Sequence, residues 1–415
     1  MGTYFSITAK AAAGRVRRIP LSYDFVKGDA SALDLVFMLY PNWKADHGQV
    51  NIVRFTGGIM NTLLKLTKQE PKCSERENDK EAVLLRAYGK DSDILVDREM
   101  EITTHELLAE KGLAAPLLAR FENGLLYKFS PGQVCTTHDL LREPVWRAVA
   151  ARLGEWHATL PLPSIDAVQD LRSDGSNNGK SSDSITSHFR SINIWTVLQK
   201  WTSALPTRDD KEKDRKVTLQ KELKRLFSEL YREDQEHENY VLGHCDLLSA
   251  NILIQSGIET DNNKMPGTDC LKGKVYFIDY EYAVPCPPAF DLANHFSEWG
   301  GFECDYNMLP TRTTRRAFVE EYLQSFSQHR PAERATEAQA EELLLEVDRF
   351  RGIPGFYWGV QSLIQSTISS VEFDWVDYAD LRLQEFWDWR EKQDRSRGGE
   401  GKKMSLRERR WAQEE

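Results

Sequence analysis

The chain has 415 residues, with 54 Lys and Arg against 64 Asp and Glu, a formal net charge of −10. That length predicts two or three structural units, and a composition 40% hydrophobic and 28% charged excludes a collagen, an acidic disordered chain and a short disulfide scaffold. The acidic excess argues against a broad nucleic-acid-binding surface, and no apolar run approaches the roughly 18 residues that a membrane span needs. The cysteines Cys73, Cys135, Cys245, Cys270, Cys286 and Cys304 are scattered and form no C-x-x-C pair. Reduced thiols in a cytoplasmic protein are therefore expected, rather than disulfides or a zinc site. Met1-Gly2-Thr3-Tyr4-Phe5-Ser6 formally fits a myristoylation pattern, a short motif that chance often supplies.

Residues 1–20 are polar and basic and read as a flexible N-terminal arm. Residues 33–40 are apolar enough for a helical turn on a core. Val50-Asn51-Ile52-Val53-Arg54-Phe55 alternates with the period of a half-buried strand, and after Gly57-Gly58 the extended pattern resumes at 61–66, giving a hairpin. Residues 82–86 are a third strand. Residues 97–111 form a helix with Gly112 beyond its end, and strands at 116–121 and 125–129 turn at Asn123-Gly124. Residues 21–130 are thus an α+β unit with a mostly antiparallel sheet. From 131 the helical period dominates, with helices at 143–160, 194–205 and 219–231 and from 315 to about 389. Polar insertions fall at 170–184 and 256–272, and 391–415 reads as a charged tail that frays as an exposed helix. No internal repeat is present.

The chemistry-bearing stretch is Gly243-His244-Cys245-Asp246-Leu247-Leu248-Ser249-Ala250-Asn251, followed by Ile252-Leu253-Ile254 and, after the second insertion, by Val275-Tyr276-Phe277-Ile278-Asp279-Tyr280-Glu281-Tyr282. Phosphoryl transfer from ATP needs one carboxylate to orient the attacking hydroxyl, and an amide oxygen plus a second carboxylate to hold Mg²⁺ on the phosphates. Asp246, Asn251 and Asp279 fit those roles in that order. Singly, each residue is as well read as a turn or cap; the weight lies in the spacing. Upstream, Phe55-Thr56-Gly57-Gly58-Ile59-Met60-Asn61 is a glycine turn whose backbone N–H groups can lie over phosphates. It lacks the G-K-[ST] of a Walker A loop. Arg86 ends the third strand, where a kinase fold places its phosphate-pairing base, and Glu99 is its expected ion-pair partner. The bland alternative for that pair is a solvated surface contact.

These motifs resemble the choline/ethanolamine kinase family, a branch of the protein-kinase-like phosphotransferases, from about residue 50 to about 390. Phe290-Asp291-Leu292-Ala293-Asn294-His295-Phe296-Ser297-Glu298-Trp299 is similar to the family's F-D-x-x-N-H-F-x-E block, and Val83 to Gly89 to a family strand. The resemblance implies a two-lobed fold, with a sheet lobe at 21–130 and a larger, mainly helical lobe at 131–390. It implies ATP at a hinge near Lys128-Phe129-Ser130, Asp246 as base, Asn251 and Asp279 as Mg²⁺ ligands and Arg86 on nucleotide phosphates. Asp291, with His244, would support the catalytic loop, and Glu298 would face the amino alcohol's positive charge or a second Mg²⁺.

Choline kinases carry two tryptophans three apart on a late helix, similar to a cage for a quaternary ammonium. Here Trp358 is followed by Gln361, an amide that can bond an N–H. Asp374 and Tyr378 would complete the pocket, and Asp305-Tyr306-Asn307-Met308-Leu309-Pro310 resembles the family's ethanolamine branch. The expected reaction is ATP-dependent phosphorylation of ethanolamine to phosphoethanolamine, the first step toward phosphatidylethanolamine. Choline or dual specificity is the alternative, and a catalytically silent scaffold a third reading, opposed by the presence of Asp246, Asn251 and Asp279 together. Oligomeric state is left open.

Overall fold

The computed structural model describes residues 16–55, 61–69, 74–89, 92–162, 192–231, 239–255, 275–330, 336–369, 371–395 and 404–415. Gly2, Gly57, Gly58 and the insertions at 170–184 and 256–272 lie outside the described residues. In the smaller lobe, strand β1 (Arg17–Ile19) precedes helix α1 (Asp29–Leu39), β2 (Val50–Phe55), β3 (Asn61–Lys68), the short α2 (Glu75–Asp79), β4 (Val83–Tyr88), α3 (Arg98–Glu110), β5 (Leu117–Phe121) and β6 (Gly124–Lys128). The sheet order is β1-β5-β6-β4-β3-β2. All neighbours are antiparallel except β1 and β5. β4 is the unbroken run Val-Leu-Leu-Arg-Ala-Tyr because it is a central strand buried on both faces. The α1 residues Leu35 and Val36 pack with Leu64, Leu66, Leu85 and Leu126 from the sheet.

The expected arm differs from what is found at 17–19. Arg17, Arg18 and Ile19 pair in parallel with Ala119, Arg120 and Phe121, and Ile19 is buried. Three residues carry too little periodicity to read as a strand, and a partner a hundred residues away supplies the ladder.

The larger lobe holds β7 (Gln133–Val134), α4 (Thr137–Leu140), α5 (Glu143–Thr159), α6 (Ile194–Ala204), α7 (Asp210–Leu230), β8 (Val241–Gly243), β9 (Ile252–Ile254), β10 (Val275–Phe277), β11 (Val284–Cys286), α8 (Pro288–Ser297), α9 (Arg312–His329), α10 (Glu337–Phe350), α11 (Ile353–Ile368), α12 (Trp375–Arg395) and α13 (Leu406–Trp411). α7 begins nine residues before the expected 219, capped by Asp209, whose side chain accepts from the Glu212 N–H. Its first turns are almost wholly charged, so apolar periodicity could not reveal them. β8 pairs with β11 and β9 with β10, both antiparallel. These two small hairpins carry the loops 244–251 and 278–283 to the cleft between the lobes.

The tail is a second difference. α12 runs on to Arg395, and α13 is docked rather than frayed: Arg407, Glu408 and Trp411 are buried. Trp411 Nε1 donates to Asp348 Oδ1 at 2.6 Å, and the Arg315 guanidinium lies 4.1 Å over its ring. Charge density does not distinguish a solvated helix from one whose charges are matched by buried partners. No helix among the described residues is long and apolar enough to cross a membrane.

α11 and α12 cross closely at a glycine stripe. A Cβ on Gly355 would lie 2.5 Å from the Arg382 carbonyl oxygen, and one on Gly359 2.6 Å from Leu383 Cγ. Helix propensity alone would favour Gly355→Ala by about 1 kcal/mol; overpacking against rigid backbone costs about 1–3 kcal/mol. The clash wins, so Gly355→Ala is expected to lower the urea midpoint; a raised midpoint would show that α12 can move away freely.

Candidate functional site

The 244–251 loop is held from behind by α8. Gly243 must lack a side chain, because a Cβ there would collide with Cys286 Sγ and sit 3.2 Å from Asp291 Cγ. Cys245 follows at φ 60°, a left-handed conformation unusual for a side chain of its kind. Asp291 supports it: the His244 N–H donates to Oδ2 at 2.9 Å and the Cys245 N–H to Oδ1 at 2.7 Å. Asn294 Nδ2 donates to the Cys245 carbonyl at 3.0 Å, and His295 Nδ1 to that of Leu247 at 2.8 Å. His157, from α5, bonds Asp291 Oδ2 through Nε2 at 3.0 Å and Tyr322 Oη through Nδ1 at 2.9 Å. A carboxylate only accepts, so the His157 proton is on Nε2. Burial alone would raise the Asp291 carboxyl; the hydrogen bonds it accepts from His157 and the Cys245 N–H help outweigh it and hold the group below its ordinary range. His244 is fully buried, its Nε2–H donating to the Ile278 carbonyl at 3.1 Å, and burial drives its pKa down to about 4. It ties the 244–251 loop to the next one as a neutral group.

Asp246 is thereby presented at the cleft. Asn251 Nδ2 donates to its carbonyl at 2.8 Å and to its Oδ2 at 3.1 Å. Burial and the carboxylates of Asp279, Glu298 and Glu281 push the Asp246 carboxyl well above its ordinary range, with the Asn251 amide opposing. A carboxylate so raised is a better proton acceptor near neutrality than a free aspartate. The Ile278 N–H donates to the Asn251 carbonyl at 3.0 Å, and Phe277 is paired with Ile252, so Asp279 follows directly beside Asn251. Asp279 too is left-handed, at φ 60°.

Across the cleft stands a buried charge cluster. Arg86 Nη2 lies 2.7 Å from Asp279 Oδ1 and 2.6 Å from Glu281 Oε2, and Nη1 lies 3.6 Å from Glu101 Oε1. Arg98 Nη1 lies 2.9 Å from both Glu101 Oε2 and Glu281 Oε2, its guanidinium stacked 3.9 Å over Tyr88. Asn61, with its amide oriented to accept, takes hydrogen bonds from Arg86 Nη2 at 2.7 Å and Nε at 3.2 Å. The expected Arg86–Glu99 pair does not form. Glu99 points outward to Arg120 at 3.1 Å with its side chain 51% exposed, and Glu101 takes the inner place. Helix phase decides this: Glu101, Thr104, His105 and Leu108 share the buried face of α3, and Glu99 is off it.

Among the described residues, Arg86 and Arg98 face the carboxylates of Glu101, Asp279, Glu281 and, beside Asn251, Asp246. Asn251 commits its Nδ2 to the loop, leaving its oxygen as a donor, and Asp279 Oδ1 is buried without a well-aligned hydrogen bond. An amide oxygen beside carboxylates fits a hard divalent cation that retains water and phosphate ligands. At the hinge, the Phe129 N–H donates to the Ala82 carbonyl at 3.0 Å; Lys128 turns its Nζ to Glu81 at 3.0 Å, and Ser130 follows half-buried.

On the other side of Asp246, Trp358 Nε1 donates to Asn294 Oδ1 at 2.9 Å, and its ring packs edge-on to Tyr282 at 5.6 Å. Gln361 Nε2 donates to Tyr282 Oη at 3.0 Å and its oxygen accepts from Ser362 at 3.3 Å, so this amide tethers the tyrosine instead of standing free. Glu298 is buried and paired with Arg382 at 2.9 Å; burial raises its carboxyl and Arg382 opposes the rise. Tyr378 Oη accepts from Arg382 Nη1 at 3.1 Å, and its ring lies 5.8 Å from that of Phe302. Asp374 does not join them. It is exposed and its Oδ1 accepts from the Asp377 N–H at 3.0 Å, an N-cap for α12.

Sequence reasoning missed Glu101, Glu281, Arg98, Asn294, His295, His157 and Arg382. Glu281 was legible two residues after Asp279, and Asn294 and His295 lie inside the block quoted above. Arg382 and His157 carried no local signal.

A sheet lobe joined to a helical lobe, with paired acidic loops at their cleft, defines a protein-kinase-like phosphotransferase. The pattern for choline/ethanolamine kinases matches residues 52–387. Ethanolamine kinase 1 of Mus musculus is 30% identical, covering 86% of this chain and 88% of its own, and ethanolamine kinase 2 of Homo sapiens is 31% identical, covering 86% and 80%. An ethanolamine kinase structure from Plasmodium vivax superposes with a TM-score of 0.62 at 22% identity over 86% of this chain and 88% of its own, showing the shared fold. The chain belongs to the choline/ethanolamine kinase family.

Glu101→Gln, which removes the buried carboxylate shared by Arg86 and Arg98, is expected to cost about 1–3 kcal/mol in denaturant unfolding, and Glu99→Gln under about 1 kcal/mol; equal costs would contradict the assignment of the inner partner. A second expectation concerns pH. Burial, with Glu281 and Glu101 adding to it and Arg86 opposing, pushes the Asp279 carboxyl from 3.8 up to about 6. A raised carboxyl binds its proton more tightly folded than unfolded, so its contribution is full below 3.8 and lost as pH rises through about 6. Melting curves between pH 4 and 7 should therefore show the wild type losing ground to Asp279→Asn; parallel curves would refute the shift.

Proposed function

We propose that this protein is an ethanolamine kinase, transferring the γ-phosphoryl group of ATP to the hydroxyl of ethanolamine with Mg²⁺ as the metal. The observation that carries the reading is the placement of Asp246 between the Asn251–Asp279 donor pair and the buried Glu298. Asp246 orients the hydroxyl and accepts its proton, a role its raised carboxyl suits. Arg86, held by Asp279, Glu281 and Asn61, meets the phosphates from the sheet lobe. Asn251 and Asp279 would hold Mg²⁺, which when bound neutralises charge on the phosphate oxygens. The hinge 128–130 is the proposed seat of the adenine.

The acceptor side favours a primary amine. Three N–H donors gain most from carboxylates and carbonyls, whereas a quaternary ammonium needs ring faces. Glu298 supplies the carboxylate, and Trp358 is a single indole face fixed by Asn294. Curated relatives bearing the name ethanolamine kinase support the same substrate. The buried free thiols of Cys135, Cys245, Cys286 and Cys304 support a cytoplasmic site of action.

A coupled steady-state assay with Mg²⁺-ATP should show ethanolamine strongly preferred over choline. Asp246→Asn should lower kcat by about 10²–10⁴-fold with nucleotide affinity retained. Equal use of choline would refute the acceptor assignment, and full activity in the variant would remove Asp246 as base.

A further inference from the structure

The family match ends at residue 387, and α13 lies beyond it. From this helix a ladder of alternating charge runs inward. Arg407 Nε lies 3.7 Å from Glu385 Oε2, the same oxygen lies 3.2 Å from Arg382 Nε, and Arg382 Nη1 lies 2.9 Å from Glu298 Oε1. None of the four side chains is more than 7% exposed. Arg382 also donates to Tyr378 Oη of the acceptor pocket at 3.1 Å and to Ser297 Oγ, next to Glu298, at 3.2 Å.

Arg407 Nε, Glu385 Oε2, Arg382 Nε and Glu298 Oε1 are buried and none of these four makes a well-aligned hydrogen bond, while Arg382 Nη1 bonds Tyr378 Oη. These contacts act chiefly through charge, which a buried site screens less than water does. Arg382 is contested between two carboxylates. Arg407, whose Nη1 also lies 3.4 Å from Glu408 Oε1, turns its Nε to one of them, Glu385, and so leaves Arg382 to Glu298 and Tyr378. Without the Arg407 charge, Glu385 draws Arg382 toward itself and the acceptor pocket loses its anchor.

The helix itself is fastened independently. Arg315 Nη2 donates to the Trp411 carbonyl at 3.0 Å, Arg410 Nε to that of Leu309 at 3.0 Å, and Arg351 Nη2 pairs with Glu408 at 2.8 Å. A change at Arg407 therefore leaves α13 docked.

We propose that Arg407 is a positioning residue for the acceptor pocket: acting through Glu385 and Arg382, it sets Glu298 and Tyr378 against the ammonium of the substrate. This rests on the reading of Glu298 and Tyr378 as substrate groups given above. It makes a C-terminal helix outside the family region a determinant of acceptor affinity.

The test is steady-state kinetics of the full chain with ethanolamine and Mg²⁺-ATP, alongside melting temperatures. Arg407→Gln should raise the KM for ethanolamine about tenfold while kcat and the KM for ATP stay within about twofold. The charge-balanced double variant Arg407→Gln/Glu385→Gln should return the ethanolamine KM to within about threefold of wild type, a rescue that lost packing cannot produce. Arg407→Lys keeps the charge while giving up the fork to the Arg351 carbonyl, and should stay within about twofold. An unchanged ethanolamine KM in Arg407→Gln overturns the proposal. So does a rise shared equally with ATP, a double variant worse than the single one, or a tenfold rise in Arg407→Lys. A wild type that turns over no ethanolamine overturns the functional reading itself, whereas active wild type with an indifferent Arg407→Gln overturns the ladder alone.

Discussion

Arg86 is almost out of reach of solvent, and a buried guanidinium is tolerable only where its charge is met. It is met from both lobes: Glu101 lies on α3, and Asp279 and Glu281 lie on the loop after β10. The pairing explains why β4 can carry an arginine in the middle of an apolar strand. It also explains why the two lobes keep a defined approach at the cleft. Arg98 reinforces it by bridging the same two glutamates from the first turn of α3. Removing a carboxylate from this cluster leaves buried guanidinium N–H groups short of an acceptor, so cleft geometry and lobe packing are one energetic problem.

The opposite wall is solved differently. There the loop 244–251 contains a left-handed Cys245, a conformation that costs of the order of 1–3 kcal/mol unless its surroundings enforce it. One carboxylate, Asp291, accepts both loop N–H groups, while Asn294 and His295 from the same helix engage two loop carbonyls. The helix that braces the Asp246 loop also continues into Glu298, and Asn294 turns its oxygen to Trp358. A single ten-residue helix therefore positions Asp246 and orients Glu298 and Trp358.

Around Glu298 the balance of buried charge depends on partners far apart in sequence. Glu298 relies on Arg382, Arg382 is shared with Glu385, and Glu385 meets Arg407 near the far end of the chain. Replacing such a ladder with apolar residues would often be neutral or stabilising. Its presence beside the proposed ammonium site is explained by placement rather than by stability. The glycine stripe of α11 permits the close crossing that puts Arg382 there.

The sequence by itself determined the α+β class and the order of strands β2 to β6 along the chain, and its spacing proposed the triplet Asp246, Asn251 and Asp279. These are local statements: period, spacing and residue type are all contained within a few consecutive residues. Tertiary structure alone decided which acid meets Arg86, because Glu99 and Glu101 differ only in helix phase relative to a distant strand. It decided that Asp374 caps a helix and that Gln361 tethers Tyr282, since neighbours brought by α11 and α12 claim their hydrogen bonds. It decided too that the charged segment at 404–415 docks instead of fraying and that Arg17–Ile19 is a strand. A charged side chain is written identically in the sequence whether solvent or a buried counter-charge will satisfy it, and only the folded chain supplies the counter-charge.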